Sequence, residues 1–185
     1  TGQLSGDGEL VRWAEERGKA LLERAYLSEC GCWANGVKAG GALDLDKSWW
    51  VYAELDQFAA SVALSDRSFA EYLPRTYGYW LEKFVDKLSG EVWATLDGVT
   101  HQPKPGTPKL YMWKNGYHSL EHALVAYITS QQLSGEPVTL YYNFPKDAAP
   151  EEVRPYYYTG RAEAVIRSTD WREGEIQKVI FRDVR

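Results

Sequence analysis

The sequence predicts a mainly α-helical domain of about four helices, arranged as two helical hairpins, followed by a C-terminal antiparallel β appendage. Three observations carry this. Apolar residues recur at helical spacing over four separate stretches of residues 1–135. A unit of helix, Trp-bearing extended loop and helix occurs twice, and such repetition suggests stacked hairpins. From Glu136 the texture changes to short runs of β-branched and aromatic residues, which read as strands. The expected division is therefore 1–135 and 136–185.

The first helix is expected over 8–27, with Asp7 as N-cap and Leu10, Trp13, Ala14, Leu21, Leu22 and Ala25 along one face. A Gly-rich extended stretch with Trp33 follows, from Cys30 to Asp46. The second helix runs from Ser48, its cap, to Leu64. The third spans 67–88, where Pro74 bends it or defers its start. A second extended stretch, Glu91–Asp97, leads into a Pro-rich loop from His101 to Pro108, and the fourth helix covers Asn115–Leu133. Trp33-Ala34 matches Trp93-Ala94, and Lys47-x-x-Trp50-x-x-x-Glu54 matches Lys114-x-x-Tyr117-x-x-x-Glu121. Rotation of one copy onto the other brings the first turns of the second and fourth helices to the same end of the bundle. Strands are expected at Val138–Phe144, Val153–Tyr158, Ala162–Thr169 and Glu175–Arg182, with a turn over Asp170–Gly174. Tyr141, Tyr142 and Tyr156–Tyr158 are expected to pack rather than bind.

Composition excludes several classes. A net charge of −5 without a Lys/Arg cluster argues against nucleic acid as partner. No apolar run approaches a membrane span, and no signal peptide is visible. Cys30 and Cys32 flank Gly31, too close for an ordinary bridge and without partners for a zinc cluster, so a reducing, cytoplasmic compartment is expected. The aromatic share of 14%, with eight Trp and thirteen Tyr, suits both a large helical core and a sugar-binding face.

Three histidines are present, and two of them, His118 and His122, lie four apart on the fourth helix. One reading is metal chemistry. His118-x-x-Glu121-His122 fits the inverted zinc-protease signature, with Glu121 as base, and would make the protein a zinc hydrolase. It needs a further ligand, for which Glu136, Glu151, Glu152 and Glu163 are the candidates. The other reading is metal-free proton transfer, because an imidazole changes charge near neutral pH. His122 is then structural, donating to Glu54 or Glu121.

The run Lys47-Ser48-Trp49-Trp50-Val51-Tyr52-Ala53-Glu54, followed by Trp113-Lys114-Asn115-Gly116-Tyr117-His118, resembles landmarks of the N-acylglucosamine 2-epimerase family. That family includes cellobiose 2-epimerases and mannose isomerases. The resemblance covers about residues 8–133. It implies a partial (α/α)6 barrel and a cofactor-free isomerase that epimerises or isomerises a reducing sugar through an enediolate. His118 matches one of two catalytic histidines that the family places on opposite sides of the substrate. Trp113 and one of the pair Trp49 and Trp50 match aromatics that hold the sugar, and Glu54 matches the carboxylate of the Trp-Trp helix. Tyr117 and Glu121 share that end of the bundle and are expected to line the sugar site. Glu121 departs from the family, whose members often carry Arg there. A full barrel has twelve helices, so the resemblance implies the C-terminal part of a longer protein. Exposed sides would then favour a homo-oligomer or association with the remaining N-terminal part. A non-catalytic carbohydrate-binding or interaction module is the competing class.

Overall fold

The computed structural model describes residues 6–145, 153–171 and 174–185. The chain forms two compact units, one ending at Ala123 and the other covering Leu124–Arg185. Among the described residues, four α-helices are interleaved with short antiparallel strand pairs, so helix and strand are mixed where mainly helix was expected. No described helix is long and apolar enough to cross a membrane.

Helix α1 is Gly8–Ala25, and the Asp7 carboxylate accepts the backbone N–H groups of Glu9 and Leu10, both at 3.0 Å. This satisfies two of the donors that every helix start leaves unpaired. Of the expected apolar face, Leu22 and Ala25 are buried together with Gly18, whereas Leu10, Trp13 and Leu21 are exposed. The reason is local. Contact is made around Gly18, where a Cβ would stand 2.0 Å from the Phe58 ring.

Strands β1 (Tyr26–Leu27) and β2 (Cys32–Trp33) form a tight hairpin whose turn includes Gly31 at φ +62°. Cys30 and Cys32 are disulfide-bonded across this turn, with Cα atoms 5.3 Å apart. The sequence reading held them too close to bridge, but the hairpin folds residue 30 back toward residue 32. Cysteine usage therefore no longer points to a reducing compartment. Strands β3 (Gly36–Val37) and β4 (Leu43–Asp44) pair next, and β5 (Lys47–Ser48) pairs with β6 (Thr95–Leu96) across the two copies of the repeat.

Helix α2 is Trp49–Ala63, starting at Ser48 as expected. Ser48 caps by position only, since its side chain makes no capping bond. Its backbone N–H donates to Asn35 Oδ1 at 3.1 Å, and that of Trp49 to the Ala94 carbonyl at 3.0 Å. The single expected helix over 67–88 is three pieces: a 3-10 turn at Arg67–Glu71, helix α3 at Leu73–Tyr79 and a π-helical turn at Trp80–Phe84. Pro74 lies in the first turn of α3, where a missing N–H costs nothing, so it defers the helix rather than bending it.

The repeat is visible in the backbone. Ala34 N–H donates to the Ala25 carbonyl and Trp93 N–H to the Phe84 carbonyl, both at 2.8 Å, so each Trp-Ala loop returns to the end of the helix before it. Helix α4, Tyr117–Leu133, opens with Asn115 Oδ1 accepting the Tyr117 N–H at 2.9 Å.

In the second unit the later half of α4 accompanies a three-stranded antiparallel sheet. Its strands are β7 (Val138–Pro145), β8 (Arg161–Trp171) and β9 (Gly174–Arg182), in the order β7-β9-β8. Val153–Tyr158 is not a strand. Tyr156 stands at φ +63°, its N–H donates to the Arg154 carbonyl at 2.8 Å, and Pro155 has no N–H for a ladder. Tyr158 is buried and the Tyr142 hydroxyl donates to the Arg154 carbonyl at 2.7 Å, so these two pack as expected. Tyr157 lies at the surface but packs too, its ring 4.5 Å from Tyr158 and 4.7 Å from Tyr156 between centroids, while Tyr141 is exposed. Of the turn expected over Asp170–Gly174, Arg172 and Glu173 lie outside the described residues.

Two ion pairs brace the first unit. Hydrogen bonds from Ser68 and Lys19 hold the Asp66 carboxyl down at about 2, and those from Lys109 and Ser89 hold Asp86 at about 2. Unfolded aspartate titrates at about 3.9. The stabilisation these depressed groups supply is therefore complete above about pH 4 and lost as pH falls toward 2. Melting temperature should drop across that window, and the double variant D66N/D86N should show a shallower drop in a thermal melt series.

Candidate functional site

The first turns of α2 and α4 supply one cluster of side chains. His118, the second residue of α4, bonds through Nδ1 to Glu54 Oε1 of α2 at 2.9 Å. A carboxylate only accepts, so Nδ1 carries the proton, and in the neutral ring Nε2 keeps its lone pair. Three aromatic rings frame the imidazole: Tyr117 at 5.1 Å, Trp50 at 6.1 Å and Trp49 at 6.3 Å between centroids. The Tyr117 hydroxyl donates to Glu121 Oε1 at 3.1 Å. Six of the seven residues singled out in the sequence, Trp49, Trp50, Glu54, Tyr117, His118 and Glu121, are thus brought together. Trp113 is the exception. It is 77% exposed on the loop before α4, in a run with the equally open Met112, and none of the ring contacts around His118 among the described residues involves it.

Burial grades across the cluster. Trp49 is buried and its indole N–H has no acceptor among the described residues, whereas Trp50 is 46% exposed. Tyr111 packs edge-on against Trp49 at 6.1 Å. The arrangement gives a solvent-facing indole and imidazole above a buried aromatic floor. Such a surface can stack on the C–H face of a small polar molecule while a lone-pair nitrogen reaches its reacting atom.

Beneath the floor lies Lys114, one of two lysines that the repeat aligns and that are both almost fully buried. Its ammonium pairs with the Glu91 carboxylate and stands 5.5 Å from the centre of the Trp49 ring. Ser119 also donates to Glu91, at 3.4 Å. The matching Lys47 donates to the Leu45 carbonyl, and burial pushes its amine below the ordinary lysine value.

His122 does not bond Glu54 or Glu121, the partners expected from sequence. It lies one turn along α4, where Nε2–H donates to Asp56 Oδ2 at 2.8 Å in a buried setting. This separates the two histidines of the zinc-like motif. Metal-ligating atoms instead gather from Glu54, His118 and Glu121, all within 4.8 Å of one another, and His122 is not in that group. Of the further ligands considered, Glu136 and Glu163 belong to the second unit, and Glu151 and Glu152 lie outside the described residues.

His101 is elsewhere. Its Nδ1 and the Tyr79 hydroxyl hydrogen-bond at 2.8 Å in an open cleft of about 530 Å³ that also holds Arg75 and Lys83. Burial, then the charges of Lys47 and Lys83, push its imidazole below the ordinary value. Sequence reasoning missed Asp56, Tyr111 and the role of Lys114. A carboxylate inside the apolar run of α2 was the signal for Asp56. Tyr111, in an irregular loop, gave none.

No family model and no curated protein matches the chain. Among solved structures, the fold is similar to that of cellobiose 2-epimerase from Spirochaeta thermophila DSM 6192, with a TM-score of 0.63 at 20% identity. The match covers 72% of this chain and 34% of that one, so the chain spans about a third of that protein's length. The likeness is one of fold.

Replacing Lys114 with Met keeps the side-chain volume but leaves Glu91 without its ammonium. Unfolding in urea should show a loss of about 1–3 kcal/mol, accompanied by a shift in Trp fluorescence as the floor under Trp49 loosens.

Proposed function

We propose that the protein is a sugar 2-epimerase or aldose–ketose isomerase that abstracts the proton at C2 of a reducing sugar. His118 is its acid/base. One observation carries this reading: the Glu54 carboxylate fixes the His118 tautomer, so the available nitrogen is Nε2, beside an exposed indole. A fold shared with a cellobiose 2-epimerase supports it, and so do the paired motifs of the two helices.

In this mechanism Trp50 takes the apolar face of the sugar ring, and Trp49, Tyr117 and Glu121 orient its hydroxyls. Once the ring has opened by breaking C1–O5, with the O1 proton passing to O5, Nε2 removes the proton from C2, the C2–H electron pair forms the C1–C2 double bond, and the carbonyl oxygen becomes the enediolate oxygen. The imidazolium that results is stabilised by Glu54 through Nδ1–H. Return of that proton to C1 on the same face, with the O2 hydroxyl proton passing to O1, gives the ketose. Return to C2 from the opposite face gives the epimer and needs a second acid/base. No described histidine fills that place, since His122 is held by Asp56 and His101 by Tyr79. The second group would come from additional helical repeats of a fuller (α/α)6 barrel or from an associated chain. No cofactor takes part.

Incubation with mannose, N-acetylmannosamine or cellobiose in heavy water should place deuterium at C2, read by proton NMR. His118→Asn should slow that exchange by about 10²-fold or more. The single imidazole among Trp49, Trp50 and Tyr117 also favours a second reading, a carbohydrate-binding module without turnover. Sugar-dependent thermal stabilisation with no exchange in the wild type would select it over the enzyme.

A further inference from the structure

Asp56 is fully buried in the middle of α2, and both of its carboxylate oxygens are engaged. Oδ1 accepts the Trp33 indole N–H at 2.7 Å, and Oδ2 accepts the His122 Nε2–H at 2.8 Å. All three residues are essentially inaccessible to solvent. The triad joins three elements: β2 of the first repeat, α2, and α4 of the second repeat. Aromatic walls complete it, with Trp80 at 4.4 Å and Tyr77 at 5.5 Å from the His122 ring.

The same two helices are bridged a second time by Glu54 and His118. Glu54 is two residues before Asp56, and His118 is four before His122, one helical turn away. Helices α2 and α4 meet through side chains more than through close approach of their backbones. The buried bridge and the half-exposed one are polar contacts across the two helices that fix their relative register. Their physical weights differ. Glu54 is half exposed and can turn to water if its bond breaks. Asp56 has no such escape, because a buried carboxylate that loses a donor bears the desolvation penalty in full. A slip of α4 along α2 is opposed by Asp56 and only reported by Glu54.

We infer that His122 and Asp56, locked by the Trp33 indole, are positioning residues that hold α4 on α2 so that His118 Nδ1 stays on Glu54 and Nε2 stays turned to the substrate. Its catalytic consequence rests on the proton-transfer function proposed above, while its structural half does not. The inference gives a role to His122, and it explains why a helix that must pack against apolar neighbours carries a carboxylate at position 56.

The test compares His122→Leu, His122→Gln and Trp33→Phe with wild type. The Gln amide can place an N–H where Nε2 stood. Leu cannot, and Trp33→Phe removes only the other donor to Asp56. Proton NMR of wild type at low temperature should show a downfield resonance from the His118 Nδ1–H, assigned by its loss in His118→Asn. It should persist in His122→Gln and broaden or vanish in His122→Leu and Trp33→Phe, in each case with helical circular dichroism intact. With an active sugar, kcat should fall roughly tenfold or more in His122→Leu with KM within about threefold, and recover in His122→Gln. An unchanged His118 resonance and unchanged kcat in His122→Leu would overturn the inference. If His122→Leu does not fold, Trp33→Phe decides, with an undisturbed His118 resonance counting against the inference. Absence of turnover in wild type would remove the proposed function and leave the NMR comparison valid.

Discussion

The bond from His118 to Glu54 joins two helices whose contributing residues are 64 positions apart in the chain. Everything proposed for the site depends on it. Without the carboxylate, the imidazole has no preferred tautomer and no fixed direction among its aromatic neighbours. With it, the ring is held by one nitrogen and presents the other. The pair can form because two copies of one helix–loop–helix unit bring the starts of α2 and α4 together, tied by β5 and β6 and by the Trp49 N–H on the Ala94 carbonyl.

The site is supported from below by polar groups in places where apolar ones would pack more cheaply. Lys114 sits with Glu91 under Trp49, and Asp56 sits with Trp33 and His122 between the helices. Burying such groups costs desolvation that is recovered only when each finds its partner in the right geometry. A floor built this way tolerates fewer alternative packings than an oily one. That restriction suits a site in which an imidazole must keep a defined orientation at a partly solvated edge.

Much of this was legible in the sequence. Helical periodicity with Asp7, Ser48 and Pro74 as punctuation located α1, α2 and the start of α3. The aligned Lys47 and Lys114 motifs predicted which helix starts converge, and six of the seven proposed site residues do so. What failed had physical causes. The face of α1 was right at Leu22 and Ala25 and wrong at Leu10, Trp13 and Leu21, because contact centres on Gly18, which admits the Phe58 ring. Val153–Tyr158 carried strand composition, but Pro155 and the φ of Tyr156 form a turn. The Cys30–Cys32 bridge depends on a tight return at Gly31 that spacing alone argues against. His122 was given Glu54 or Glu121 as partner, whereas its ring reaches Asp56, two residues along α2 from Glu54 and inside the apolar run of that helix.

The most direct measurement is a crystal structure of the protein with a reducing sugar bound. The sugar ring should lie against Trp50, with its C2 about 3–3.5 Å from His118 Nε2 and Nδ1 still on Glu54. A sugar seated elsewhere, or an imidazole whose Nε2 is turned into the protein with Glu54 released, would contradict the proposed role of His118.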